Sequence, residues 1–267
     1  ANTFRMYVNT AYNGGSVRYN NIYGNSAGFG INIDNVKGTQ NSPFVVANNF
    51  VYMGDSSTAT NNFGIYVQNG SNLVHVLHNS ISIHGATANT AGINVQNGPN
   101  VDIVLHNNNA AHYGGGLALS VEAGFSVLQS DANNFYAANT DAIRFAGADY
   151  SSTAAFNAAT GLDANSMTVD PMFLTEDMHT CMADFDNKGI AIGETMDIDG
   201  DSRNTSTPDI GADEFIREET FSLGPDTTIC PGNSVVLGSE NIVDGTWLWN
   251  PTFDTTAQIS VGAAGEY

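Results

Sequence analysis

Three aspartates at alternate positions are the residues of this sequence best placed to hold a cation: Asp197, Asp199 and Asp201. Alternating carboxylates are typical of calcium-binding loops, because Ca²⁺ prefers several oxygen ligands. The loop departs from the EF-hand pattern, since its sixth and twelfth positions lack the glycine and the glutamate which that pattern requires. Two interpretations stay open: a Ca²⁺ site that rigidifies the segment, or a solvated acidic turn in which Arg203 pairs with one carboxylate.

A second group of charged residues has the types needed for acid–base catalysis. Asp131, Asp141 and Asp149 lie near Arg144 in the sequence. An inverting glycoside hydrolase needs two carboxyl groups about 6.5–9.5 Å apart. No partner that would tune their pKa values can be identified, so Asp131, Asp141 and Arg144 are weak catalytic candidates, and surface charge is the favoured interpretation.

Two pairs of histidines recur at one interval. His78 and His106 are 28 residues apart, and so are His84 and His112. Imidazole is a common ligand of transition metals, so each pair would be a conceivable metal site if its members stacked on adjacent turns of chain. Repetition of a turn residue is the favoured interpretation, because no third ligand of suitable type is apparent near either pair.

An internal repeat predicts the elements that position these side chains. An asparagine follows an apolar stretch five times, at intervals of 28, 30, 28 and 27 residues. A second motif in phase with it alternates apolar and polar residues, which is the period of a strand with one buried face. The anchor asparagines are Asn21, Asn49, Asn79, Asn107 and Asn134. The predicted inward pairs are Ile31/Ile33, Ile65/Val67, Ile93/Val95, Leu117/Leu119 and Ile143/Phe145.

A repeat of about 28 residues made only of strands and turns predicts an all-β solenoid. It is too short for a four-stranded propeller blade, which needs about 40 residues or more. A parallel β-helix over residues 1–168 fits, with inward apolar side chains stacked in columns. The anchor asparagines are predicted to stack as an internal ladder in which each side-chain amide bonds to its neighbours.

The outward strand positions form the most plausible contact surface. They carry amides, an acid and an aromatic ring, which are groups that bind sugar hydroxyls. The alternative is an ordinary solvated face. The predicted ligand-binding residues are Asn32, Asp34, Tyr66, Gln68, Asn94 and Gln96.

The repeat resembles the right-handed parallel β-helix proteins of bacterial surfaces, a superfamily that includes pectate lyases. Asp197–Arg203 and Pro208–Phe215 are similar to the D-x-D-G-x-x-R…D-I-G-A-x-E-F tail that closes many secreted bacterial β-helix proteins. A solenoid needs a cover for its last apolar turn, so residues 169–219 are predicted to form a C-terminal cap.

Residues 220–267 differ again in composition. The stretches 226–237 and 246–251 resemble strands of immunoglobulin-like (PKD-like) modules in surface proteins of the bacteroidete lineage. A full sandwich needs about 100 residues, so only its N-terminal part is expected here. The resemblance implies a large, multi-domain, exported protein, with type IX secretion as the usual route.

Composition and charge bear on several classes of partner. The 267 residues carry a net charge of −20, which disfavours nucleic acid. No apolar run approaches the roughly 20 residues needed to span a bilayer, so a membrane-embedded domain is not expected. No signal peptide opens the chain, and residue 1 falls inside what reads as folded sequence, which predicts a mature fragment. Cys181 and Cys230 allow a disulfide in an oxidising compartment or two free thiols.

These observations lead to two functional hypotheses. The first is a non-catalytic structural or adhesive module of a large secreted, cell-surface protein, which contacts other surface chains, copies of itself or polysaccharide. It needs no cofactor apart from the Ca²⁺ discussed above. The alternative is a polysaccharide lyase or glycoside hydrolase that acts on an acidic or neutral polysaccharide.

Overall fold

The computed structural model describes residues 4–24, 28–54, 62–85, 89–96, 98, 102–123, 127–217, 228–238, 249, 255–256 and 258–262. The chain divides into two compact units, Ala1–Ile216 and Arg217–Tyr267. No helix in these described ranges has both the length and the apolar character needed to cross a membrane.

Short strands follow one another through the first unit, as the alternating sequence motifs predict. In chain order they are β1 (Phe4–Asn9), β2 (Gly15–Arg18), β3 (Asn21–Gly24), β4 (Gly28–Asp34), β5 (Phe44–Ala47), β6 (Phe50–Met53), β7 (Asn62–Gln68), β8 (Val74–Leu77), β9 (Ser80–Ile83), β10 (Ala91–Gln96), β11 (Ile103–His106), β12 (Asn109–His112), β13 (Leu117–Val121), β14 (Val127–Asp131), β15 (Asn134–Ala137), β16 (Ile143–Phe145) and β17 (Ala148–Tyr150).

Every third strand pairs in parallel, which builds three sheets. Sheet 1 has the order β1-β4-β7-β10-β13-β16 and ends on the antiparallel β17. Sheet 2 stacks β2-β5-β8-β11-β14, and sheet 3 stacks β3-β6-β9-β12-β15. The result is an all-β parallel solenoid of about four turns, with coils of about 29 residues. The predicted fold class is confirmed at this level.

Apolar columns fill the interior of the solenoid. In sheet 1, Ile31 is in register with Ile65, Ile65 with Ile93, and Ile93 with Leu119. All four side chains are almost completely buried, and each contributes about 1.5–3 kcal/mol through burial. Leu117 departs from the predicted inward column. It is in register with Ala91 and packs in a separate apolar cluster with Phe29 and Phe63.

A column of small residues marks a position in sheet 1 where the chain leaves no room for a side chain. A Cβ atom on Gly64 would lie 2.4 Å from Cγ2 of Ile81 and 2.6 Å from the carbonyl oxygen of Gly92. Glycine therefore precedes the apolar pair in three successive turns, at Gly30, Gly64 and Gly92. Because the motif begins where backbones approach each other closely, its glycine has a packing role.

The last turn of the solenoid is closed by the β16–β17 hairpin and the helix α1 (Thr153–Thr160). The helix begins after Ser152, whose side chain accepts from the backbone N–H of Ala155, and it ends at Gly161 in the left-handed conformation. Phe156 is fully buried, with its ring centroid 5.3 Å from that of Phe145. The predicted role of residues 169–219 as a cap stays a prediction.

Residues 163–216, here called the strap, pack against the side of the solenoid at sheet 3. Phe173 and Met178 of the strap share one buried cluster with Phe50 of β6 and Ala111 of β12. The side-chain hydroxyl of Ser82 donates to the Phe173 carbonyl over 2.8 Å. Since these partners belong to different turns, the strap fastens neighbouring turns together from outside.

The second unit contains an antiparallel pair, β18 (Val235–Gly238) and β19 (Gln258–Val261). Trp249 is buried against Ile259 and Val261, and its indole N–H donates to the Thr256 carbonyl over 2.8 Å. The other predicted aromatic, Trp247, lies outside the described residues. The unit is thus a small β element, and its immunoglobulin-like character stays a prediction.

Candidate functional site

One sharp turn recurs between sheets 2 and 3 and positions the most regular polar feature of the molecule. In successive turns, one residue has a positive φ of 49–57°: Tyr19, Asn48, His78, Asn107 and Ala132. Few residue types adopt this conformation readily, and asparagine is one of them. The residue that follows is asparagine in every case: Asn20, Asn49, Asn79, Asn108 and Asn133.

These five asparagines form a continuous ladder of side-chain amides. In the first four, Nδ2 donates to Oδ1 of the asparagine in the next turn, at distances of 2.8, 2.9, 3.0 and 3.0 Å. Within its own turn, Asn79 also donates from Nδ2 to the Leu77 carbonyl over 3.0 Å. The ladder from Asn49 to Asn133 is fully buried. Its amides therefore form with one another the hydrogen bonds that an exposed amide would form with water.

The predicted ladder is off by one residue at three of its five positions. Asn49 and Asn79 are members, but Asn21, Asn107 and Asn134 each follow or precede the true member by one residue. The reason is uneven spacing, since the true members are 29, 30, 29 and 25 residues apart. A shift by one residue turns a side chain to the other face of the chain.

Asn107 and Asn134 use their displaced positions to bind the strap. Asn107 accepts from the backbone N–H of Ile190 over 2.9 Å and donates to its carbonyl over 2.8 Å. Asn134 makes the same two bonds with Val169, over 2.9 and 2.8 Å. Each side-chain amide thus pairs with a strap residue as a peptide group in a strand would. Asn21 is exposed.

The ladder ends on a buried carboxyl group. Asp163 Oδ1 accepts from Asn133 Nδ2 over 3.0 Å and from the Ser166 hydroxyl over 2.6 Å. Its second oxygen is buried and has no hydrogen-bond partner among the residues that the structure describes. Burial raises the pKa of Asp163 above its ordinary value, although hydrogen bonds from Asn133, Ser130 and Ser166 oppose the change. The terminal group of the ladder is therefore its most pH-sensitive member.

We expect Asp163→Asn to stabilise the solenoid at pH 7 relative to the unmodified chain. A carboxyl whose pKa is raised by folding contributes its full stability below its unfolded pKa of about 3.9, and that contribution is lost as the pH rises through the folded value. Asparagine keeps the acceptor for Asn133 without a charge. Urea midpoints from pH 4 to pH 8 should therefore diverge as the pH rises.

Asp163→Ala is the matched control for this prediction, because it removes the charge and the acceptor together. At pH 4, where the buried carboxyl destabilises the fold least, the urea midpoint of Asp163→Ala should lie below that of the unmodified chain. A gap between Asp163→Asn and the unmodified chain that did not change with pH would contradict the assignment.

The D-x-D-G-x-x-R motif builds the inner layer of the strap. Asp197 is fully buried, and its Oδ1 accepts from the backbone N–H groups of Asp199 and Asp201 over 2.9 and 2.8 Å. Its Oδ2 accepts from the N–H of Glu214 over 3.0 Å. Three backbone donors therefore occupy this carboxylate, which folds the turn and joins it to the second half of the motif.

Arg203 is the most heavily bonded residue of the motif. Its guanidinium lies within 3.1 Å of Glu214 Oε2 and donates to the Gly211 and Ala212 carbonyls over 3.0 and 2.8 Å. It also donates to Asn48 Oδ1 of the solenoid over 2.9 Å. The arginine therefore joins both halves of the strap motif to a turn of the solenoid.

The D-I-G-A-x-E-F segment completes this arrangement. Asp209 accepts from the backbone N–H groups of Asn187 and Phe215 over 2.6 and 2.8 Å. Gly211 has a φ of 117°, and a Cβ atom there would lie 2.9 Å from the Ser80 hydroxyl. His78 donates from Nδ1 to the Gly211 carbonyl over 3.2 Å, and burial lowers its pKa well below its usual value. The motif residues thus fasten the strap onto the solenoid.

The three predicted metal ligands do not converge on one point. The Asp197 carboxylate is occupied by the backbone donors described above, and Asp201 is exposed. Asp199 instead receives a hydrogen bond from Nε2 of His179 over 2.8 Å. The other interpretation of the sequence is that Arg203 pairs with one of these three carboxylates. Arg203 instead pairs with Glu214.

His179 is the residue at this position that sequence reasoning missed. Its Nδ1 lies 2.5 Å from Asp177 Oδ1, and its ring packs edge-on against Phe50. Although burial works against it, hydrogen bonds to Asp177 and Asp199 raise the pKa of His179 to about 9. Burial raises the pKa of nearby Asp213 to about 6, with His179 opposing the change. In the sequence, the group is indicated by the stretch Asp177-Met178-His179, which lies outside the solenoid repeat.

Two of the weak catalytic candidates, Asp131 and Arg144, form structural bonds. Asp131 accepts from the backbone and side-chain N–H groups of Asn165 over 2.7 and 2.8 Å. Arg144 forms a two-point ion pair with Asp149 across the β16–β17 hairpin. Asp141 is exposed.

The predicted contact face on sheet 1 is largely closed. Asn32, Tyr66 and Asn94 are at most 3% exposed, so they do not present an open surface. Gln68 donates to Asn32 Oδ1 over 3.0 Å, and Gln96 donates to the Tyr66 hydroxyl. At the edge, Asp34 accepts from the Tyr7 hydroxyl over 2.6 Å. Four of the six predicted ligand-binding residues therefore bond to each other in two pairs, while Asp34 bonds to Tyr7 and Asn69.

The histidine pairs do not stack, and the reason is again a one-residue shift. His106 is in register with Leu77, and His112 with Ile83. His84 instead stacks on Tyr113, with ring centroids 4.9 Å apart. It belongs to a row of rings along sheet 3 that contributes stacking between turns. The row is Tyr23, Tyr52, His84, Tyr113 and Tyr136.

Both cysteines are free and exposed, so Cys181 and Cys230 form no disulfide with each other in this structure. The sequence matches no protein-family model, and neither the curated proteins nor the solved structures compared with it include a match.

Proposed function

We propose that this chain is a non-catalytic structural and adhesive module of a large secreted, cell-surface protein. The solenoid would act as a rigid rod that holds its outer faces at a fixed spacing for contact with other surface chains, copies of itself or glycans. The spacing between turns, about 4.8 Å, is set by the hydrogen bonds of the three sheets. Such a rod makes repetitive contacts because each turn repeats the one beneath it.

The observation that carries this proposal is the use that the chain makes of its polar residues. Three charged residues of the sequence motif, Asp197, Arg203 and Asp209, are each buried and bonded to the strap or the solenoid. Groups committed in this way resist bending and sliding of the turns. They contribute to rigidity rather than to a reaction, since their hydrogen-bonding atoms face protein.

The resemblances noted in the sequence extend the proposal. A right-handed, pectate-lyase-like solenoid with a D-x-D-G-x-x-R…D-I-G-A-x-E-F strap, followed by the beginning of a PKD-like module, is what one expects of an exported bacteroidete surface protein. Type IX secretion belongs to the same proposal. The net charge of −20 suits a chain that must stay soluble outside the cell.

The test is a turnover assay on a panel of uronate and neutral polysaccharides, run with the chain and with Asp141→Ala. We expect neither unsaturated products nor new reducing ends from either protein. Cleavage of any polymer that is lost in Asp141→Ala would instead establish a lyase or hydrolase and overturn the structural assignment. Retention on the same immobilised polymers, together with sedimentation velocity, separates glycan contact from self-association.

A further inference from the structure

The strap brings one imidazole and two carboxylates together from three separate segments. A ring nitrogen of His179 and carboxylate oxygens of Asp199 and Asp213 all lie within 4.8 Å of one another. His179 and Asp199 are exposed, whereas Asp213 is buried. An ion at this position would be reachable from solvent and would contact a group held inside the strap.

The ring of His179 is oriented before any ion arrives. Asp177 lies 2.5 Å from Nδ1, which leaves Nε2 directed at Asp199. Phe50 of the solenoid supports the ring, with centroids 4.9 Å apart and an interplanar angle of 88°. Metal-bound histidines usually donate their other ring N–H to a carboxylate, which fixes the orientation of the ring.

The burial of the Asp213 carboxylate is a second indication that an ion binds here. It is only 8% exposed, and in the described part of the chain no side chain donates a hydrogen bond to its carboxylate. The nearby donor is the backbone N–H of Thr180. A buried carboxylate beside Asp197 and Asp199 is costly unless positive charge balances it, and His179 supplies one charge at most.

We propose that His179, Asp199 and Asp213 form a site for a divalent transition-metal ion of the zinc or manganese class. One imidazole nitrogen with two carboxylate oxygens suits such ions, whereas Ca²⁺ prefers six to eight oxygen ligands. On binding, the ion takes the place of the proton between His179 and Asp199, and that proton passes to solvent. The ion would pin three segments of the strap to one point beside Phe50.

The experiment is a calorimetric titration of the chelator-treated chain with ZnCl₂, MnCl₂ and CaCl₂, followed by thermal melts with each ion. We expect one Zn²⁺ or Mn²⁺ per chain, a raised melting temperature and no comparable effect of Ca²⁺. His179→Gln and Asp213→Asn should each weaken binding by a factor of ten or more. Far-ultraviolet circular dichroism on both variants distinguishes a lost site from a lost fold.

Two further variants act as controls. Asp201→Asn should bind as the unmodified chain does, because Asp201 is outside the proposed site. His75 and His106 lie near each other on sheet 2 and are another pair of imidazoles that could bind a metal ion. Because the proposed site does not include them, His75→Gln should leave the stoichiometry unchanged. Binding that survives both His179→Gln and Asp213→Asn, or that requires Asp201, would overturn the assignment, as would no uptake of Zn²⁺ or Mn²⁺.

Discussion

Arg203→Ala is expected to lower the free energy of unfolding of the solenoid unit by about 3–5 kcal/mol, which is the usual cost of removing one partner of a buried ion pair. The Arg203 side chain is fully buried, and that of Glu214 is 12% exposed. The substitution leaves Glu214 without its counter-charge and Asn48 Oδ1 without its donor. Two strap carbonyls also lose a bond.

Urea unfolding followed by circular dichroism measures this loss, and Arg144→Ala is its matched control. Arg144 also forms an ion pair, with Asp149, but both side chains are more than a third exposed. Exposed pairs contribute about 0–1 kcal/mol. Equal losses for the two variants would show that burial of Arg203 has no special energetic role, and the strap would then not be fastened as described.

The fold of the first unit was predictable because its signal is repeated. Alternation in the stretches around Ile31, Ile65 and Ile93 reports strand period and buried face together. A recurring interval without helical period leaves few architectures. Each turn adds an independent statement of the same pattern, so one irregular copy, such as the one at Leu117, does not obscure the whole.

Register was not predictable to the residue, and the ladder shows why. Two adjacent asparagines occupy the turn at Asn48-Asn49 and again at Asn107-Asn108, and the sequence alone does not say which of the two points inward. The structure assigns the second one inward, after a residue with positive φ. Both asparagines are the same residue type, so only the backbone geometry distinguishes which one points inward.

The position of the strap was beyond the sequence for a different reason. The strap has almost no regular secondary structure, so no period reports which face it buries. Its residues bond to groups far away in the chain, as Arg203 does to Asn48 and Ile190 does to Asn107. Resemblance to a closing tail predicts a cap at residues 169–219, and that role stays a prediction.

Asn79→Leu is expected to destabilise the solenoid by about 3–5 kcal/mol, even though leucine has nearly the same size and is apolar. Asn79 Oδ1 accepts from both Asn49 Nδ2 and its backbone N–H, at 2.9 and 3.3 Å. Its own Nδ2 donates to Asn108 Oδ1 over 3.0 Å. Each buried group left without a partner costs about 1–3 kcal/mol, and both neighbours in the ladder are fully buried.

Asn20→Ala at the first position of the ladder is the comparison that isolates this effect. Asn20 is only half-buried and has a ladder partner on one side, Asn49. Water can replace its lost bonds, so we expect a cost of about 1 kcal/mol. The ratio between the two variants measures how strongly burial links successive turns. If Asn79→Leu cost no more than Asn20→Ala, the columns of apolar side chains alone would hold the turns in register, and the ladder would be a consequence of the fold rather than one of its causes.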